Sequence, residues 1–137
     1  MNGRLAEPGL DPVVQFLLLC DYAAADGRGK LTIVGQFQTI HARALPAAHP
    51  RLFIVFGWRG MQAHTYRVII SPPDNDSAVI FQTEEMQVSR EQAAWGNSII
   101  EVLGLRFQQP GTHWVKLICD GWKIADHPLV VQYEPRK

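Results

Sequence analysis

Short apolar runs recur about every 12 to 20 residues along this chain, each closed by turn-forming residues, and that rhythm constrains the fold more than any other feature. The turn clusters are Asp26-Gly27-Arg28-Gly29, Leu45-Pro46 to His49-Pro50, Pro72-Pro73-Asp74-Asn75-Asp76, Gln109-Pro110-Gly111 and Asp120-Gly121. Runs of this length and spacing are too short for helices and fit strands. Within them, side chains alternate with period two: Leu31, Ile33, Gly35, Phe37 and Thr39 form one set, and Leu103, Leu105 and Phe107 another. Alternation puts one set on a buried face. The run from Leu52 to Trp58 is apolar on both faces and reads as a central strand.

The spacing predicts strands over 13–21, 30–41, 52–59, 64–71, 78–88, 98–108, 112–120 and 123–133. One short helix is predicted over Ser89 to Gly96, where Ser89 offers a cap and Gly96 a stop. About eight strands without crossover helices imply an all-β, single-domain, antiparallel two-layer sandwich of immunoglobulin-like form, with a closed barrel as the alternative. Residues 1–12, rich in Gly and Pro, read as a flexible lead-in to one domain over 13–137. Pro128 marks an edge or a bulge in the last strand, because proline cannot donate to the ladder.

A chain of 137 residues, 47% hydrophobic and 19% charged, suffices for one core. Thirteen basic residues balance thirteen acidic ones without runs of either sign, so the footprint of a nucleic-acid binder is missing. No apolar segment is long enough for a membrane helix. The run from Val13 to Cys20 is not expected to be a leader peptide, since Glu7 and Asp11 precede it and Asp21 separates it from the alanines. The chain therefore reads as cytoplasmic, with Cys20 and Cys119 as core residues in a reducing compartment.

The catalytic constellations are missing too. None of the four serines lies in a nucleophile elbow, and Cys20 meets His113 only if the first and seventh strands adjoin. The five histidines are scattered singly, without metal-ligand spacing. The loop aspartates suit turn chemistry as well as calcium, and Gly27-Arg28-Gly29-Lys30 lacks the helix and hydroxyl residue of a phosphate loop. No catalytic residue, cofactor or metal is assigned. Four tryptophans stand out. Trp58 and Trp114 lie within strands and suit core sealing, while Trp95 and Trp122 adjoin glycines near turns, where a flat ring offers a docking platform. The candidate binding surface is Trp58, Arg59, His64, Trp95 and Trp122.

Cys-Asp-Tyr-Ala at 20–23, Gly-Lys-Leu-Thr-Ile-Val-Gly-Gln-Phe at 29–37, Leu45-Pro46 and His49-Pro50 together resemble a bacterial family of uncharacterised β-sandwich domains. The resemblance implies a fold and no activity. The expected function is a non-catalytic protein-interaction or assembly module that binds a protein partner or its own copy. The alternative is a sandwich that binds carbohydrate or another small ligand through its turn-adjacent tryptophans.

Overall fold

The computed structural model describes residues 12–61, 64–88 and 94–135. Ten strands among the described residues build two layers: β1 (Val13–Ala25), β2 (Leu31–Phe37), β3 (Thr39–Ala42), β4 (Ala47–Arg59), β5 (Thr65–Ser71), β6 (Phe81–Gln82), β7 (Met86–Gln87), β8 (Trp95–Phe107), β9 (Gly111–Cys119) and β10 (Trp122–Tyr133). The first layer is a four-stranded sheet in the order β2-β1-β4-β8. The second has six strands in the order β3-β10-β9-β5-β6, with β7 also pairing to β5, and it curls like a half-barrel. No helix is present among the described residues; Ser89 to Ala93 of the expected helix lie outside them, as do residues 1–11 of the expected lead-in. Trp95 and Gly96 open β8 instead.

The layers enclose the main core, built from Leu19, Leu52, Ile54, Phe56, Trp58, Val68, Ile70, Phe107, Val115, Leu117 and Leu129 among others. The all-apolar run from Leu52 to Trp58 is buried throughout, because β4 has neighbours on both edges and cover on both faces. It begins earlier than its apolar run suggests, at Ala47, and carries Pro50 inside it. β1 pairs with β4 only from Phe53 onward, so Pro50 has a neighbour strand on one side alone. Pro128 is placed in the same way, since β3 pairs only with Val130–Tyr133 of β10.

Two expected strands are divided. The run 30–41 breaks at Gln38, where the chain leaves the first sheet for the second and β3 pairs with β10, the one parallel pair among the described residues. The run 78–88 shrinks to β6 and β7, and the register against β5 slips by one residue between them. At the slip the Thr83 hydroxyl accepts the Val68 N–H at 3.0 Å and replaces a ladder bond. These breaks raise the expected eight strands to ten among the described residues.

The first hairpin does not continue flat. β1 stops pairing with β4 at Cys20, yet it stays paired with β2 to Ala25. At the bend Asp21 faces Gly35, whose φ of 68° is left-handed and suits glycine. A Cβ at Gly35 would strike the Asp21 carboxylate. Beyond the bend the hairpin folds back over the outer face of the four-stranded sheet. Its tip carbonyl, at Gly29, accepts the Asn97 side-chain amide at 3.4 Å. Asn97 stands across from Gly57, which stands across from Phe16, well behind Cys20 along the sheet. The fold-back encloses a second small core of Cys20, Ala23, Phe53 and Val55, flanked by Phe16, Leu18, Leu31, Ile33 and Ile99. Cys20 and Cys119 thus belong to separate cores, and both are free.

Candidate functional site

β4, β8, β5 and the β9–β10 hairpin all turn at one end of the sandwich, and this end gathers most of the expected surface residues. Gly60 N–H donates to the Ala94 carbonyl at 2.7 Å, which ties the end of β4 to the start of β8. Arg59 is exposed and stands across from Trp95 in the register. Trp95 is 69% exposed and Trp122 is 77% exposed. Trp58 is not part of this surface. Only 3% of it is exposed; it lies over Gly96, and its indole N–H donates to the Ser98 hydroxyl at 3.2 Å. Trp114, expected in the core, lies instead on the partly exposed outer side of β9.

His64 occupies the most structured position. Asp120 and Gly121 form the two-residue turn between β9 and β10, with φ of 51° and 86°, as a tight hairpin turn of this hand requires. Asp120 is the one non-glycine residue with positive φ among the described residues. Its Oδ1 accepts the Thr65 N–H at 3.0 Å and the Thr65 hydroxyl at 3.2 Å. Its Oδ2 lies 2.5 Å from His64 Nδ1. An ionised carboxylate only accepts, so Nδ1 carries the hydrogen. The bonds from His64 and from the Thr65 backbone hold the Asp120 carboxyl below its usual range. His64 is held in turn by its own N–H, which donates to the Met61 carbonyl at 3.0 Å. Beside this pair lies Cys119, whose thiol burial, helped by the Asp120 charge, pushes it up to about 11. Donor atoms of His64, Cys119 and Asp120 all lie within 4.8 Å of one another.

Two hollows accompany this arrangement. One, of about 280 Å³, lies between the folded-back hairpin tip and the start of β8, lined by Ala25, Arg28, Gly29, Trp95, Gly96 and Asn97. The other, of about 260 Å³, lies at the hairpin bend against Asp21, Phe37 and His49. Two of the loop side chains bond their own turns. Asp26 Oδ1 accepts the N–H groups of Arg28 and Lys30, and Asn75 accepts that of Ser77. The nearly buried Lys116 ammonium reaches both the carboxylate and the carbonyl of Asp76 at 2.7 Å.

Sequence reasoning selected His64 but missed Thr65, Cys119 and Asp120 as its neighbours. The Asp-Gly pair signals a hairpin turn, but its partner lies 56 residues away, and no local spacing reports that contact. It also missed the edge of β8. That strand pairs with β4 along its length and, among the described residues, has no neighbour on its other side.

These features define an all-β two-layer sandwich with a folded-back first hairpin and a polar cluster at one end. The chain belongs to DUF6941, a family of unknown function, whose model matches residues 15–132. No curated protein matches it. Among solved structures it is similar to the alkylpurine DNA glycosylase AlkC of Pseudomonas fluorescens, bound to DNA containing an abasic site analog. The TM-score is 0.54 at 11% identity, over 88% of this chain and 30% of the glycosylase. The chain spans under a third of that enzyme, and at this identity the likeness concerns the fold.

Proposed function

We propose that this chain is a non-catalytic protein-interaction module of the bacterial cytoplasm, an immunoglobulin-like sandwich that docks an extended strand of a partner protein along the open edge of β8. The observation that carries this reading is the contrast among the sheet edges. β3, β6 and β7 have four residues or fewer, and β2 bends away at Gly35 with the folded-back hairpin. Short or bent edges resist pairing. β8 is longer, running from Trp95 to Leu103 ahead of its own left-handed Gly104 (φ 65°), with Leu103 at 68% exposure and few charges to discourage a neighbour. An open edge recognises an extended strand through alternating N–H and C=O groups, and flanking side chains add specificity. A second copy of the chain meets the same requirement, and zero net charge does not oppose it.

The test compares the wild type with Leu103→Lys, a charge on an exposed edge position that leaves the core untouched. Affinity purification from the native cell recovers a specific protein with the wild type and loses it with the variant; sedimentation at rising concentration reports a second copy as that partner. A wild type that stays monomeric and recovers the same proteins as Leu103→Lys overturns the reading.

The hollow at the hairpin tip favours a second reading. Trp95 supplies an exposed aromatic face beside Arg28 and Asn97, a combination suited to stacking and hydrogen bonding a sugar or a small anion. Tryptophan fluorescence titrated with oligosaccharides tests it, and a response unchanged in Trp95→Ala removes it.

A further inference from the structure

We propose that His64, Cys119 and Asp120 form a binding site for a divalent transition cation of the zinc type, with an open coordination position at the end of the sandwich. The donors come from two connections, the residue before β5 and the β9–β10 turn, and lie within 4.8 Å of one another. A tetrahedral zinc ion, with bonds of about 2.0 to 2.3 Å to nitrogen, oxygen and sulfur, separates its ligand atoms by roughly 3 to 4 Å. The three donors need only small side-chain adjustments to reach that spacing, chiefly a widening of the His64–Asp120 contact from 2.5 Å.

Successive residues of a strand point to opposite faces, so Cys119 and Asp120 would normally diverge. The left-handed backbone at Asp120 removes that obstacle, since the strand has ended and the carboxylate lies on the side of the Cys119 sulfur. The hairpin turn alone accounts for the positive φ, but it does not account for a histidine from 56 residues away standing against both side chains. The surroundings also divide the carboxylate suitably. Thr65 donates twice to Oδ1, which orients the group and leaves Oδ2 facing the other donors. Outer contacts of this kind orient metal ligands.

The donor set selects the ion. Calcium and magnesium require shells of oxygen, whereas one thiolate, one imidazole and one carboxylate suit zinc or cobalt. On binding, the Cys119 thiol loses its proton to solvent, and the His64 hydrogen moves from Nδ1 to Nε2 through water. Sulfur and Nδ1 then each donate a lone pair to the cation. Cys119 is buried whereas Asp120 is exposed, so the open fourth position faces solvent and can take water or a donor atom from a partner.

The test titrates cobalt(II) into the full-length chain after chelator treatment. The expected result is a thiolate-to-cobalt charge-transfer band with strong visible bands of four-coordinate cobalt, saturating at equimolar metal and displaced by zinc. Cys119→Ala abolishes the charge-transfer band, and Cys20→Ala retains it. Because loss of a buried thiol can disturb folding, the partly exposed His64→Asn is the second variant; it weakens cobalt binding at least tenfold while circular dichroism stays that of the wild type. Absence of the band in the wild type overturns the proposal, as does a band that survives Cys119→Ala or an affinity unchanged by His64→Asn.

Discussion

Replacing Gly96 with alanine tests whether the tight contact between β4 and β8 is rigid. Trp58 lies across from Gly96 in the register, and a Cβ there would come within 2.7 Å of Trp58 Cζ2 and 3.2 Å of two further ring atoms. The ring has little room to yield: it is buried, the Ser98 hydroxyl holds its N–H, and that hydroxyl lies 3.4 Å from the Tyr66 hydroxyl. Overpacking of a fixed core costs about 1–3 kcal/mol. Alanine recovers roughly 0.5–1 kcal/mol of backbone entropy that glycine loses in a strand. The expected net loss is the difference, up to about 2.5 kcal/mol, or a fall in Tm of up to roughly 10 °C for a chain of this length. Urea unfolding followed by tryptophan fluorescence measures it. Gly27→Ala is the control, because nothing lies within 4 Å of its Cβ position; it is expected to be neutral or to stabilise by up to about 1 kcal/mol. A double-mutant cycle isolates the contact. In a Trp58→Phe background the smaller ring vacates the space, and Gly96→Ala should cost at least about 0.5 kcal/mol less than in the wild type. An equal cost in both backgrounds, or a Gly96→Ala protein as stable as the Gly27→Ala control, refutes the reasoning.

Phe56→Ala removes a fully buried ring from the centre of β4 that meets Tyr66 edge-on at 5.5 Å. It should cost about 3–5 kcal/mol in chemical unfolding, and a cost below 1 kcal/mol would contradict its central place. Burial holds the His113 imidazole below its usual value; its ring lies 4.9 Å from that of Phe107. The unfolded chain therefore binds a proton on this group at a pH where the folded chain does not. The stability His113 contributes is complete above about pH 6.5 and declines as pH falls toward the lower folded value. Unfolding midpoints should drop as pH falls below about 6.5, and His113→Leu should flatten that slope; an unchanged slope refutes the assignment. Asp26→Ala removes the acceptor of the Arg28 and Lys30 N–H groups. Amide exchange at the hairpin tip should then accelerate, while exchange in β4 stays as in the wild type.

The strand positions were largely readable because period-two alternation and turn residues are local properties. The run at 52–58 announced a central strand because both of its faces are apolar, and β4 is buried on both faces. Alternation does not report where a strand changes partner. Nothing in the composition of the run 30–41 distinguishes Gln38, yet the chain changes sheets there. Trp58 and Trp95 begin as equivalent aromatic residues, and their fates separate because one faces the interlayer core and the other sits at a strand's exposed start. Of the expected surface residues, His64, Arg59, Trp95 and Trp122 share one end of the molecule, but Cys119 and Asp120 joined them only through long-range pairing.

The amino-acid pattern alone determined that the chain is all-β, that turns fall at Asp26 to Gly29 and at Asp120-Gly121, and that one strand is buried on both faces. These follow from backbone sterics and burial within a few residues. Tertiary structure decided that the first hairpin bends at Asp21 and Gly35 to cover its own sheet, that β8 has a neighbour on one side only among the described residues, and that His64 meets Cys119 and Asp120. Each of these depends on which strand lies beside which, and that is set by how the whole apolar surface is shared between two layers rather than by any local segment.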